Sequence, residues 1–132
     1  MIAGIGTDIV AIARIGETLE RQGERFVHKL LSDAEQAEFR NVNARDAAAW
    51  LAKRWAAKEA FGKAAGIGVS APLTLSGIGV GHDGSGRPLF ELSEAVQTYL
   101  QSKGVLRTHL SLSDEKQFAV AFVVFEQGPT LP

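Results

Sequence analysis

Hydrophobic and polar positions alternate with a period of two at the start of the chain. Over Met1–Val10, Ala3, Ile5, Thr7 and Ile9 share one face and Gly4, Gly6 and Asp8 the other, which predicts a first strand. Two glycines on one face weaken a strand unless something must approach closely, so Asp8, at the strand's end, sits over cleared ground. The plainer account of Asp8 is a turn-forming or helix-capping aspartate. From Ala13 to Leu31 the pattern becomes helical, with an interruption at Gly23. Ser32-Asp-Ala-Glu35 has the form of a capping box and opens a helix reaching about Phe39 or Arg40. Asn41-Val-Asn43 breaks it. Asn43 is placed to cap a long helix over Ala44–Ala65, with Asp46 near the positive end of its dipole. Ala49, Ala56, Ala60 and Ala64 give that helix a shallow side suited to close contact with a sheet, interrupted by Lys53, while Trp50 and Phe61 read as core anchors. Gly66-Ile-Gly68 ends it as a C-cap.

The second half of the chain reads mostly as strands. A bulged strand is expected around Leu75–Val80, a hairpin loop over His82–Gly86, and a return strand over Arg87–Leu92. Ser93 caps a helix that stops at Lys103-Gly104. Leu106–Ser113 and Phe118–Phe125 are strands joined by Asp114–Gln117, and His109, Ser111 and Ser113 fall on the face opposite Leu110 and Leu112. The tail from Gly128 to Pro132 is expected to fray.

Composition narrows the class. With 132 residues, 45% of them apolar and 22% charged, a single domain spanning residues 1–132 with a substantial core is expected. A net charge of −1 argues against a general nucleic-acid binder. No stretch has the length of a membrane span, and the first residues lack a secretion-signal pattern. Cysteine is absent, which rules out disulfides and thiolate metal sites and fits a reducing cytoplasm. Gly4 and Gly6 alone do not make a dinucleotide fingerprint, and the glycine-rich stretch from Gly66 to Gly86 lacks the Lys-Ser/Thr of a phosphate loop.

Candidate chemistry concentrates on the long helix. At ~100° per residue, Trp55, Glu59 and Lys63 form one stripe, with Gly62 and Gly66 beside it. An ordinary Glu-to-Lys helix pair would look the same. Asp8 on a separate element shifts the balance, because two acids, a lysine and a polar strand bearing His109 suit a hard cation engaged in phosphate chemistry. Mg²⁺ is typically held by one or two carboxylates, with water and substrate phosphates completing its octahedron. His109 by itself also fits a structural or solvated strand histidine. Arg14, Arg21, Arg25, His28 and Lys29, interspersed with Glu17, Glu20 and Glu24, form either a solvated salt-bridged face or a docking surface for an acidic partner.

Four stretches carry a family resemblance: Gly4-Ile-Gly-Thr-Asp-Ile-Val10, the helix start Leu31-Ser-Asp-Ala-Glu35, Leu51-Ala-Lys-Arg-Trp-Ala-Ala-Lys-Glu-Ala-Phe-Gly-Lys-Ala64, and His109-Leu-Ser-Leu-Ser113. In order and over nearly the whole chain they resemble the short bacterial 4′-phosphopantetheinyl transferases, the holo-acyl-carrier-protein synthases. The resemblance implies an α+β fold with an antiparallel sheet packed on a long central helix, assembled as a homotrimer with coenzyme A between neighbouring subunits. It implies Mg²⁺-dependent transfer of phosphopantetheine from coenzyme A to a serine of apo-acyl carrier protein, releasing adenosine 3′,5′-bisphosphate. Carried onto this chain, Asp8 and Glu59 would hold Mg²⁺ and Lys63 would neutralise the diphosphate. Arg54 would bind the nucleotide end, with Lys58 a weaker phosphate contact, and His109 would line the coenzyme A cleft. Arg14, then Arg21 and Arg25, would meet the acidic carrier. Glu59, Asp8 or a water on the metal could each take the serine proton. Asp114 stands where many relatives carry a histidine, which puts any proton-transfer role of that position in doubt, and the extension from Gln127 to Pro132 has no family role. Two other readings compete: a Mg²⁺ enzyme acting on another nucleotide diphosphate, and a non-catalytic oligomeric module that binds acidic proteins.

Overall fold

The computed structural model describes residues 1–129, so the end of the tail, Thr130–Pro132, lies outside the described residues. Strand β1 (Ile2–Ala11) leads directly into helix α1 (Ile12–Gln22), followed by α2 (Glu24–Leu30), α3 (Asp33–Phe39) and α4 (Ala44–Ala65). Then come β2 (Ile78–His82), β3 (Pro88–Leu92), α5 (Glu94–Ser102), β4 (Val105–Asp114) and β5 (Phe118–Gln127). Strands β1, β5 and β4 form an antiparallel sheet in that order, and β2 and β3 form a separate hairpin. Among the described residues no helix is long and apolar enough to cross a membrane.

Glycine decides how the long helix meets the sheet. A methyl group built on Gly4 would overlap the Ala64 carbonyl, and one on Gly6 would overlap the Ala60 carbonyl, so the α4 backbone lies directly on β1. Side chains on the same sheet face (Val10, Ala119, Ala121, Val123 and Phe125) are buried against Ala56, Ala60, Phe61 and Ala64. Phe61 meets Phe90 and Phe125 edge-on, each at 4.9 Å between ring centres. Burial of such a ring is worth roughly 3–5 kcal/mol by comparison with truncation to alanine. This contact ties the hairpin, the helix and the sheet into one core.

The opposite sheet face is apolar and open. Ile5 and Ile9 are 61% and 63% exposed, and Phe118 and Phe122 44% and 46%.

Local sequence signals hold in most places. Ser32 and Glu35 form both bonds of the capping box, Glu35 N–H donating to Ser32 Oγ (3.2 Å) and Ser32 N–H to Glu35 Oε1 (3.0 Å). Gly66, at φ 84° and ψ −3°, takes the left-handed backbone that ends a helix, and Gly23 breaks α1 from α2 at a positive φ of 56°. Asn43 begins α4 in extended geometry but its side chain makes no capping bond, which corrects that expectation. Bonds from Gly77 and Ile78 to Thr74 make Leu75 to Gly77 a turn, so the strand begins later, at Ile78.

Candidate functional site

The predicted stripe and the first strand meet at one corner of the α4–β1 contact. Asp8 lies on the inner face of β1, three residues before the strand ends at Ala11, rather than capping a turn. Lys63 reaches across the interface, donating from Nζ to Asp8 Oδ1 (3.0 Å) and to the Thr7 carbonyl (2.9 Å). It therefore reaches the strand and does not merely balance Glu59 along the helix. Glu59 stands one turn before it, and its pKa is raised above the ordinary carboxylate value. Burial is the main cause and the Asp8 charge the second, opposed by Lys63 and by Arg14 on α1. Two acids close enough to repel each other, both offering oxygen, with a lysine alongside, fit a hard divalent cation that takes its remaining ligands from water and phosphate. Among the described residues no group of three or more His, Cys, Asp or Glu side chains that could hold a metal ion comes together.

Two hollows flank the corner. A cavity of about 530 Å³ runs from Glu59 past His28 and Lys29 to a wall made by the segment from Val69 to Ser76. A groove of about 250 Å³ has an apolar floor of Ile15, Phe26, Leu30 and Trp55 and a rim carrying Arg14, Arg21 and Lys29. Phe26 and Trp55 pack at 6.3 Å within that floor. A larger, open hollow of about 890 Å³ lies between Ser32–Gln36 and Phe90–Gln97, and it contains none of the predicted site residues. Its size does not outweigh the absence of site chemistry in its walls.

Several predicted site residues are placed elsewhere. Lys58 is fully buried, its Nζ donating to Glu35 Oε1 (2.7 Å) and to the carbonyls of Leu30 (2.5 Å) and Leu75 (2.9 Å). All three of its protons are used, so it is not a phosphate contact. Burial pulls its pKa down and Glu35 pushes it back up. Arg54 is only 3% exposed, stacked 3.6 Å over the Trp50 ring and paired with Glu38 at 3.5 Å. Burial lowers its pKa, opposed by Glu38 and Glu35. Within this chain it faces the α3–α4 interior, engaged by Trp50 and Glu38, and is not exposed as the expected nucleotide contact.

His109 pairs with Val124, whose other neighbour is Ile5, and contacts Glu126, so it is on the outer face while Asp8 is on the inner one. In a single chain it cannot line the same cleft. Arg25 is exposed on α2 and is not among the groove's lining residues. Lys29, read from the sequence only as one of the charged residues of that face, borders both hollows.

A two-acid, one-lysine corner between a strand and a long helix, beside a cavity and a basic groove, now has a family to be compared with. The family model described as the 4′-phosphopantetheinyl transferase superfamily matches residues 4–123, and the chain belongs to that family. A holo-acyl-carrier-protein synthase of Azoarcus sp. (strain BH72) is 53% identical over 126 residues, covering 96% of this chain and 98% of the relative. The crystal structure of the Neisseria meningitidis synthase superposes with a TM-score of 0.92 at 42% identity, over 96% of this chain and 100% of that one. The Bacillus anthracis (str. Ames) synthase, solved in complex with CoA (3′,5′-ADP), superposes with a TM-score of 0.82 at 33% identity, over 97% and 99% of the two chains. The synthase relationship read from the motifs therefore holds along nearly the whole chain, and the chain is a phosphopantetheinyl-transferring enzyme.

Proposed function

We propose that this chain transfers the 4′-phosphopantetheine group of coenzyme A to a serine hydroxyl of an apo-acyl carrier protein, releasing adenosine 3′,5′-bisphosphate, with Mg²⁺ held by Asp8 and Glu59. The observation that carries the reading is the meeting of Asp8, Glu59 and Lys63 at one corner, with the Lys63–Asp8 contact at 3.0 Å. Bound there, Mg²⁺ would neutralise charge on the diphosphate and make the adenosine bisphosphate a better leaving group. Lys63 supports this from the same side, its side chain 55% exposed and its ammonium free to turn from Asp8 toward a phosphate. The serine oxygen bonds to the pantetheine-side phosphorus as the bond from that phosphorus to the bisphosphate oxygen breaks. Glu59 accepts the hydroxyl proton directly or through a water.

Arg14 and Arg21, with Lys29, border an apolar-floored groove beside the acids, which suits an acidic helix carrying one or two apolar side chains. Arg25 adds charge outside the groove. A second copy of this chain is the occupant we assign to the open sheet face, in a homotrimer, since Ile5, Ile9, Phe118 and Phe122 form one contiguous apolar surface there. That assembly would also bring His109 to a neighbouring chain's cleft, which its own sheet prevents within one chain. The absence of cysteine suits a reaction in a reducing cytoplasm.

The direct experiment incubates the protein with coenzyme A, Mg²⁺ and an apo-carrier protein and weighs the carrier by mass spectrometry. A gain of one phosphopantetheine is expected, lost with Asp8→Asn or Glu59→Gln and with chelator. No gain with a carrier that a known synthase modifies would defeat the reading. Docking that survives Glu59→Ala with no turnover by the wild type would favour a binding module instead.

A further inference from the structure

Lys58 is a fully buried ammonium one residue before the proposed metal-binding Glu59. Its three acceptors belong to three segments that are distant in sequence. Leu30 ends α2, Glu35 lies in the first turn of α3, and Leu75 belongs to the stretch between α4 and β2. Glu35 Oε1 is further engaged by Ser32 N–H. Elsewhere the cluster is incomplete, because Glu35 Oε2 and Arg54 Nε lack hydrogen-bond partners among the described residues and stand 4.0 Å apart. The fully bonded member of this cluster is therefore the lysine, not the arginine.

What Lys58 holds in place matters for the cavity. After the helix ends at Gly66, the chain folds back over Gly62, where an added methyl would lie 2.7 Å from the Gly68 carbonyl carbon. It then supplies Val69, Ser70, Thr74 and Leu75 to the wall that shares the 530 Å³ cavity with Glu59. A turn of ~100° separates consecutive helix residues. The same geometry that aims Glu59 into the cavity thus aims Lys58 behind its wall. No regular ladder holds residues 67–73: the backbone bonds recorded there are short-range, Ser70 to Gly68 and Leu73 to Ser70, besides Gly68 to Gly62. Leu75 is where the stretch is fastened to the long helix by a charge-assisted bond, and such bonds are roughly twice as strong as neutral ones.

We propose that Lys58 is a positioning residue: by holding the Leu75 carbonyl to α4 it fixes the wall formed by residues 69–76 at a set distance from Glu59, and so sets the affinity for the diphosphate-bearing donor. This rests on the function proposed above for the Asp8–Glu59 corner.

Lys58→Met alone would strand the Glu35 carboxylate in the interior, which destabilises the fold whatever the role of the tether. The test therefore compares Glu35→Gln, which keeps the Lys58–Leu75 bond, with the double variant Glu35→Gln/Lys58→Met, which loses it. Both are studied as full chains well below their melting temperatures. Titration calorimetry with coenzyme A and Mg²⁺ is expected to give Glu35→Gln a Kd within roughly twofold of wild type. The double variant is expected to bind about tenfold more weakly, the order of loss a misplaced wall produces. Amide exchange in the ligand-free protein is expected to quicken in residues 67–76 of the double variant and little elsewhere. An unchanged Kd in the double variant, or exchange that rises evenly along the chain, would overturn the tether. No coenzyme A binding by the wild type would overturn this inference and the proposed function together, whereas wild-type binding with an unaltered double variant defeats this inference alone.

Discussion

Glu59 occupies a position that suits a ligand better than it suits the empty protein. Burial and the neighbouring Asp8 both raise its pKa, and Lys63 and Arg14 offset this only in part. Because the folded pKa lies above that of the unfolded chain, the folded state binds the proton more tightly. Any stability gained this way is complete below the ordinary carboxylate pKa of 4.5 and is lost as pH rises through the raised value. In chelator, Glu59→Gln should therefore melt a few degrees above wild type at pH 7 to 8, with the gap closing as pH falls through the raised value and gone below 4.5, as scanning calorimetry across that range would show. The same variant should lose about 10²-fold or more in kcat, since proton acceptance and charge neutralisation both fail. Higher stability with lost turnover separates a functional acid from a structural one. Arg21 is judged differently, because it borders the groove and not the acid corner. Arg21→Glu should raise the carrier KM about tenfold at low salt, less at high salt, while leaving the coenzyme A KM nearly unchanged in steady-state assays.

The contact between α4 and β1 shows why glycines belong on a strand that should otherwise avoid them. A methyl on Gly6 would collide with the Ala60 carbonyl and come within 2.7 Å of the Ala64 nitrogen, both backbone atoms that cannot rotate away. Gly6→Ala should therefore cost about 1–3 kcal/mol or more in urea unfolding. Gly16→Ala is the matched control, since its methyl would lie 3.4 Å from the Ala48 side chain, on the interior of α1. That variant should gain up to about 1 kcal/mol from helix propensity. Sequence reasoning reached this contact because alternation placed both glycines with Asp8, and because small residues recur along α4. It reached the extent of α4, Ala44–Ala65, for similar reasons: helical periodicity ending at a glycine C-cap. It failed at Lys58 and Arg54. On a helical wheel these are simply cations near Glu59, but Lys58 is engaged by Glu35 and two backbone carbonyls at separations of 17 to 28 residues, and Arg54 by Glu38, 16 residues away. No local pattern encodes such pairings. For His109, alternation assigns a strand's two faces but not which of them meets the helix, so its separation from Asp8 within one chain was not legible either.

At the scale of the whole molecule, the sheet's outer face and the placement of His109 raise a single question. A face carrying Ile5, Ile9, Phe118 and Phe122 at 44% exposure or more is unusual for a chain that stays alone in water. The same face bears His109 against Glu126, so whatever covers the apolar residues also lies close to the histidine. If another copy covers them, each cleft combines Asp8 and Glu59 of one chain with His109 of its neighbour. Phe122→Glu, on the central strand of the sheet, should then leave the far-ultraviolet spectrum intact while sedimentation equilibrium shows a monomer with sharply reduced turnover. Mixing provides the more demanding check. Asp8→Asn spoils one half of a shared cleft and His109→Ala the other, so each pure variant is impaired at every site. In a one-to-one mixture dissociated and reassembled at random, about a quarter of clefts in a cyclic assembly would draw Asp8 from a chain that has it and His109 from a neighbour that has it. Turnover should recover toward about a quarter of the wild-type rate per chain under those conditions. Recovery no greater than the mean of the two variants would place all the machinery within single chains and leave the apolar face with some other occupant.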